Sequence, residues 1–187
     1  MLNPANLLTF ARIALIPVFV YFMHEAGSAT TMGTASWAAL VIYLVATLSD
    51  YVDGYVARKL QVITRLGQFL DPLADKFLVG AALVSLIIYR GFPAWAAVVI
   101  AVREVAIVAL RSAAMKRGNA MPAGRHAKYK TSVQLVMVLA WLFPSVGAMA
   151  IVQEVLVYVA VAITVWSGLR YAVLGKELLT PAAKGPP

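Results

Sequence analysis

Cysteine is absent from this chain of 187 residues, histidine occurs twice, and aspartate and glutamate together number only 8. Each scarcity excludes a class of chemistry. Without cysteine there is no disulfide framework and no thiolate to act as nucleophile or metal ligand. With no cysteine and no histidine pair, a zinc or copper centre lacks its usual donors. Charged residues are scarce too, at 13% against 62% hydrophobic ones, and the mean hydropathy is +0.83. Those values exclude an ordinary soluble domain.

The charge that is present is unbalanced, 16 lysines and arginines giving a net +8. On so apolar a chain this fits basic loops facing anionic lipid and phosphate-bearing substrates rather than nucleic acid. The length is consistent with one domain. No internal repeat and no low-complexity segment stands out.

All the aspartates fall between Asp50 and Asp75, in the run Asp50-x2-Asp53-Gly54-x2-Ala57-Arg58-x8-Gly67-x3-Asp71-x3-Asp75. A carboxylate at bilayer depth is costly and marks a functional site. Several together repel one another and are driven towards protonation unless a cation sits among them. Hard oxygen donors suit Mg²⁺ or Mn²⁺. On a helix Asp50, Asp53, Gly54 and Ala57 share one face, and Gly67, Asp71 and Asp75 nearly share another. Two such helices side by side would aim two carboxylate pairs at a common point. The small residues on the same faces let a backbone or ligand approach closely. Helix capping and salt bridging account for single aspartates, not for eight fixed positions, whose chance occurrence is on the order of 10⁻¹⁰ per starting position.

Six apolar segments follow one another, at 7–23, 35–58, 68–89, 94–115, 130–148 and 151–173. Each is long enough for a hydrocarbon core of about 30 Å at about 1.5 Å per residue. The pattern predicts an all-α integral membrane protein, a bundle of six transmembrane helices with a polar cavity opening to the cytoplasmic side. Arg12 within the first segment, and the lack of a small-residue cleavage site, argue against a cleavable signal. The connections at 24–34 and 149–153 contain no Lys or Arg, and the one near 90–93 has only Arg90. Arg58, Lys59, Arg65, Lys116, Arg117, Arg125, Lys128, Lys130 and Lys176 fall on the other side. The positive-inside rule puts that side and both termini in the cytoplasm. Asp50 and Asp71 then lie about 22 and 27 Å along their helices, near the cytoplasmic edge. Residues 176–187 read as a disordered cytoplasmic tail.

Arg103 and Arg111 lie in the fourth segment, where a lone arginine needs a partner or a watery cavity. A substrate phosphate and Glu104 are both candidates. Lys128 and Lys130 cannot share one helical face, so at least one of them fits a lipid-interface anchor. Asn6, Thr9 and Arg12 could reach a nucleotide, or Asn6 and Thr9 could cap the first helix. His24 falls on the extracytoplasmic side and His126 in a basic loop, so neither is a metal-ligand candidate. Trp37, Tyr89, Trp95 and Trp141 read as interfacial anchors.

The aspartate run resembles, without departure, the signature of the CDP-alcohol phosphotransferases, integral membrane enzymes of phospholipid synthesis. The opening Asn3-Pro4-Ala5-Asn6-Leu7-Leu8-Thr9-Phe10-Ala11-Arg12, then Arg103-Glu104 with Arg111, then Lys128-Tyr129-Lys130-Thr131 with Gln134 resemble the phosphatidylglycerophosphate synthase branch. The resemblance covers residues 1–175. It implies transfer of a phosphatidyl group from CDP-diacylglycerol to glycerol 3-phosphate with release of CMP, by a homodimer in the cell membrane. It implies two ions, Mg²⁺ or Mn²⁺, on Asp50, Asp53, Asp71 and Asp75, with Asp75 also the base. It implies donor binding at Asn6, Thr9, Asp53, Gly54, Ala57, Arg58 and Gly67. By the charge and depth already noted, Arg103, Arg111, Lys128 and Lys130 are the candidates for the acceptor phosphate. Rival readings keep the donor but change the acceptor to inositol phosphate, serine or phosphatidylglycerol, or make the acidic site that of a divalent-cation transporter. Transporters place such sites near the midplane and often show inverted repeats. Here the carboxylates sit at one edge and no repeat is visible.

Overall fold

The structure is a computed structural model that describes the backbone of residues 4–28, 30–60, 65–116 and 125–179, and side chains at 9–28, 30–49, 73–115, 130–173 and 175. Among the described residues it is all-helical: α1 (Pro4–Ala26), α2 (Thr34–Leu60), α3 (Arg65–Arg90), α4 (Ala94–Lys116), α5 (Arg125–Leu142) and α6 (Ala148–Leu179). Each overlaps one apolar segment of the sequence.

The boundaries have local causes. Pro4 opens α1, where its missing N–H removes no helical bond. Pro17 lies inside α1 without ending it. After α3 the chain turns through Gly91 at φ +70°, and the Phe92 N–H donates to the Leu86 carbonyl at 3.1 Å. That bond spans seven residues, and Gly91 at its turn holds a left-handed position that glycine enters without steric penalty. Pro93 follows and cannot continue the helix.

α5 ends at Leu142, short of the expected 148, because Pro144 pushes Phe143 out of the helical region. α6 runs to Leu179. Residues 176–179, expected in a disordered tail, are therefore helical, while 180–187 lie outside the described residues.

Among the described residues, two helices are long and apolar enough to cross a membrane: Thr9–Ala26, with mean hydropathy 1.2, and Ala148–Val173, with 2.1. The described stretches Thr34–Ser49 and Lys130–Leu142 are apolar but shorter, and charged residues interrupt α3 and α4. Asp75, Lys76 and Arg90 fall in the described part of α3, and Arg103, Glu104 and Arg111 in α4. Large apolar side chains such as Val105, Ile151 and Leu169 are nonetheless well exposed. Outward-facing apolar surface on this scale marks a membrane or protein-contact face.

The chain divides into two compact units, residues 1–93 with 138–153, and residues 94–137 with 154–187. In the first, α1 packs on α2 and α3, and α2 touches α3. Fully buried Ala39, Ala46, Ala74 and Ala82 keep side chains small there. Phe19 and Tyr43 fill the space between α1 and α2, ring centroids 5.6 Å apart. In the second, Ile100, Ile107 and Ala114 are buried on α4, and Ala160, Thr164, Ser167 and Tyr171 on α6. A Cβ built at Gly175 would lie 2.6 Å from the Leu110 methyls, so α4 and α6 approach closely at that point.

Gln153 closes the α5–α6 connection and is 1% exposed. Its Nε2 donates to the carbonyls of Ala140 at 2.9 Å and Phe143 at 3.0 Å. Its Oε1 accepts from Ser145 Oγ, and its own carbonyl accepts from Trp141 Nε1 at 3.2 Å. One amide thus satisfies carbonyls that the end of α5 leaves open. The same contact corrects the reading of Trp141 as an interfacial anchor. It is buried because its N–H reaches Gln153, whereas Trp37 and Trp95 are exposed in the first turns of α2 and α4.

Gln153→Ala should leave both carbonyls unsatisfied and cost about 2–4 kcal/mol. Unfolding of the detergent-solubilised protein measures this, and a loss below about 1 kcal/mol would remove Gln153 as the clasp.

Candidate active site

All eight motif positions lie in helical backbone. Asp50, Asp53, Gly54, Ala57 and Arg58 occupy the last turns of α2, and Gly67, Asp71 and Asp75 the first turns of α3. The two helices meet within the first unit. The side chains of Asp50, Asp53, Ala57, Arg58 and Asp71, and the surroundings of Gly54 and Gly67, lie outside the described residues. Asp75 is half-buried.

α1 braces this end of α2. Arg12 is 1% exposed. Its Nε donates to the Ala46 carbonyl at 3.1 Å and to Ser49 Oγ at 3.4 Å. Ser49 Oγ in turn donates to the Ala46 carbonyl at 2.8 Å. The guanidinium is thus fixed one residue before Asp50. The sequence offers Arg12 for nucleotide contact and gives no sign of this brace, since nothing local in the chain pairs positions 12 and 46. Thr9 is buried inside α1. Because α1 starts at Pro4, neither Asn6 nor Thr9 caps it. The side chain of Asn6 lies outside the described residues.

The second unit holds a cluster of cations. Glu104 accepts from Arg103 Nη1 at 2.9 Å and also pairs with Lys130 Nζ. Arg103 Nη2 donates to Ser167 Oγ at 3.1 Å, and Ser167 Oγ donates to the Thr164 carbonyl at 3.1 Å. Arg111 Nη2 donates to Tyr171 Oη at 3.3 Å. The Arg103 and Arg111 guanidinium carbons lie 5.9 and 5.6 Å from the Tyr171 ring centre, within cation–π range. Tyr171, which the sequence did not single out, therefore orients two of the four acceptor-site candidates. Lys130 is buried against Glu104 and is not a lipid-interface anchor. The side chain of Lys128 lies outside the described residues. The Nε atoms of Arg103 and Arg111 are buried and have no hydrogen-bond partner.

A CDP-alcohol phosphatidyltransferase family model matches residues 2–166. The chain belongs to that family. It is similar to CDP-diacylglycerol–glycerol-3-phosphate 3-phosphatidyltransferase of Bacillus subtilis, 38% identical over 91% of this chain and 94% of the relative. A protein of Mycobacterium tuberculosis described as a probable phosphatidylglycerophosphate synthase is 35% identical over 90% of this chain and 79% of its own length. A Haemophilus influenzae protein with the same name as the Bacillus one is 33% identical over 92% of each chain. A CDP-alcohol phosphatidyltransferase is an enzyme, which leaves the transporter reading of the acidic cluster without support.

The ion pairs across α4 and α5 give a test. Glu104→Ala strands two cations and should destabilise the protein by about 2–4 kcal/mol, near the range for breaking a buried pair. Adding Lys130→Met should recover part of that. A double-mutant cycle on unfolding should return a coupling of at least about 1 kcal/mol, and additive losses would mean that the pair contributes nothing.

Proposed function

We propose that this phosphatidyltransferase moves the phosphatidyl group of CDP-diacylglycerol to a primary hydroxyl of sn-glycerol 3-phosphate, giving phosphatidylglycerophosphate and CMP. The observation that carries the reading is the unbroken acidic motif on the meeting helices α2 and α3. It stands in a chain whose relatives are named for that reaction and are matched over 79–94% of their length.

The donor set fits hard divalent ions. It offers four carboxylates and no thiolate, and the helical spacing pairs Asp50 with Asp53 and Asp71 with Asp75. Those four would hold two Mg²⁺ or Mn²⁺ ions. Bound there, the ions would neutralise phosphate oxygens and stabilise the leaving group. Arg58 would meet the diphosphate, while Asn6, Thr9, Gly54, Ala57 and Gly67 would form the nucleotide pocket. Asp75 would take the proton of the attacking hydroxyl. That oxygen bonds to the phosphatidyl phosphorus as the bond to the CMP oxygen breaks, and the electron pair leaves with CMP. Arg103, Arg111, Lys128 and Lys130 would receive the acceptor's phosphate, for which the planar fork of arginine is suited.

The same reading has the protein in the cytoplasmic membrane as a homodimer with six spans, both termini and the active site facing the cytoplasm. Six helices of suitable length and the one-sided distribution of Lys and Arg support the spans and their orientation. The dimer rests on the family resemblance.

Activity should require Mg²⁺ or Mn²⁺. Asp50→Ala, Asp53→Ala and Asp71→Ala should each abolish CMP release while the protein stays folded and membrane-inserted. Full turnover in excess chelator would sink the mechanism. Arg111→Ala should raise the KM for glycerol 3-phosphate by roughly 10- to 100-fold, the loss of one charge-assisted contact, and leave the KM for CDP-diacylglycerol nearly unchanged. Turnover of free serine or inositol but of neither phosphorylated alcohol would overturn the acceptor.

A further inference from the structure

Gln134 is a polar residue in a row that has no internal use for one. It lies on α5 one turn beyond Lys130, about 6 Å along the axis, with Met137 a further turn on. All three are buried, Gln134 being 7% exposed. Its Nε2 is buried without any hydrogen-bond partner. A buried N–H in that state carries its desolvation cost in full, and an apolar side chain of the same length would avoid it.

Among the described residues of the second unit, the other side-chain nitrogens in the same condition are Arg103 Nε and Arg111 Nε. All three are donors, so an acceptor-rich ligand would satisfy them. Their chemistry divides the work. The guanidinium N–H groups are charged and suit a phosphate. The carboxamide N–H is neutral and suits a neutral oxygen. Lys130, the residue one turn away on the same face, is joined through Glu104 to Arg103, so Gln134 lies one helical turn from a member of the cation cluster. A three-carbon polyol phosphate, with its phosphate on the cations, carries a hydroxyl about that far along its length.

We propose that Gln134 donates a hydrogen bond to the non-reacting secondary hydroxyl of the acceptor and so makes the enzyme selective for a phosphorylated polyol over a simple phosphorylated alcohol. The inference rests on the acceptor reading given above. A site built to bond a substrate hydroxyl rejects the analogue that lacks it, because its own polar group is then left unpaired.

The test pairs an enzyme deletion with a substrate deletion. The purified enzyme is assayed with CDP-diacylglycerol and either sn-glycerol 3-phosphate or 3-hydroxypropyl phosphate. The latter keeps the phosphate, the carbon chain and the attacking hydroxyl but lacks the secondary one. The wild-type enzyme should favour glycerol 3-phosphate by roughly 10- to 100-fold in kcat/KM. Gln134→Leu should lose that preference by slowing glycerol 3-phosphate to the level of the analogue, with the KM for CDP-diacylglycerol unchanged. Gln134→Met, closer to glutamine in shape, should behave alike, and turnover of the analogue reports that each variant is folded. A preference retained in both variants, or no preference in the wild type, overturns the role of Gln134 and leaves the acceptor standing. Failure of the wild type to use either compound, while it transfers to a different alcohol, overturns the acceptor itself and Gln134 with it.

Discussion

Glu104 holds two cations at once, Arg103 on its own helix and Lys130 on α5. In a chain that is 62% hydrophobic, such contacts do more than neutralise charge. Apolar side chains gain little by leaving lipid for one another, so helices in a membrane associate through polar contacts and close backbone packing. The second unit follows that rule. Glu104 joins α4 to α5, Arg103–Ser167 and Arg111–Tyr171 join α4 to α6, and Gly175 lets α6 close on Leu110. The first unit uses the same means. Arg12 ties α1 to α2, buried alanines let the helices approach, and Gln153 fastens the start of α6 to the end of α5.

The groups that hold the helices together also orient the chemistry. Arg12 could have met any carbonyl of α2. It meets the one at Ala46, together with Ser49, so the brace falls on the turn that leads into Asp50. Arg103 and Arg111 both lie against one buried ring, Tyr171, their guanidinium carbons 5.9 and 5.6 Å from its centre. Long arginine side chains lose much rotamer entropy when held. Here that cost is met on folding, so a phosphate would find the donors already aimed.

The acidic motif was legible because its information is local. Spacings of three and four residues translate directly into helix faces, and all eight positions prove to be helical. The break between α3 and α4 was legible too, since the apolar segments stop at 89 and resume at 94, beside Arg90 and Ala94 where the helices end and begin. What escaped the sequence is carried by contacts between distant positions. Arg12 and Ala46 are separated by 34 residues, and Arg111 and Tyr171 by 60. No period relates such pairs, and a tyrosine on an apolar helix looks like any interfacial aromatic until its partners are known. Gln153 was hidden for a second reason. It falls in the connection at 149–153, where a polar residue needs no explanation. The roles of Asp50, Asp53, Asp71 and Lys128 rest on spacing, charge and family, since their side chains lie outside the described residues.

Charge bears on which alcohol such a unit can accept. Arg103, Arg111 and Lys130 are set against one carboxylate, Glu104, which leaves two positive charges in excess among these four residues. In a partly buried setting that excess is expensive, because low dielectric strengthens repulsion between like charges as much as attraction between opposite ones. A phosphate monoester near neutral pH carries about −1.5 to −2, which matches it. Free serine or inositol brings no net charge and would leave the repulsion in place. Inositol phosphate would satisfy the cations equally well, so the cations select for a phosphate and not for a particular carbon skeleton. That further choice falls to neutral groups beside them, and a buried amide with an unused donor, one turn along α5, is a group of that kind.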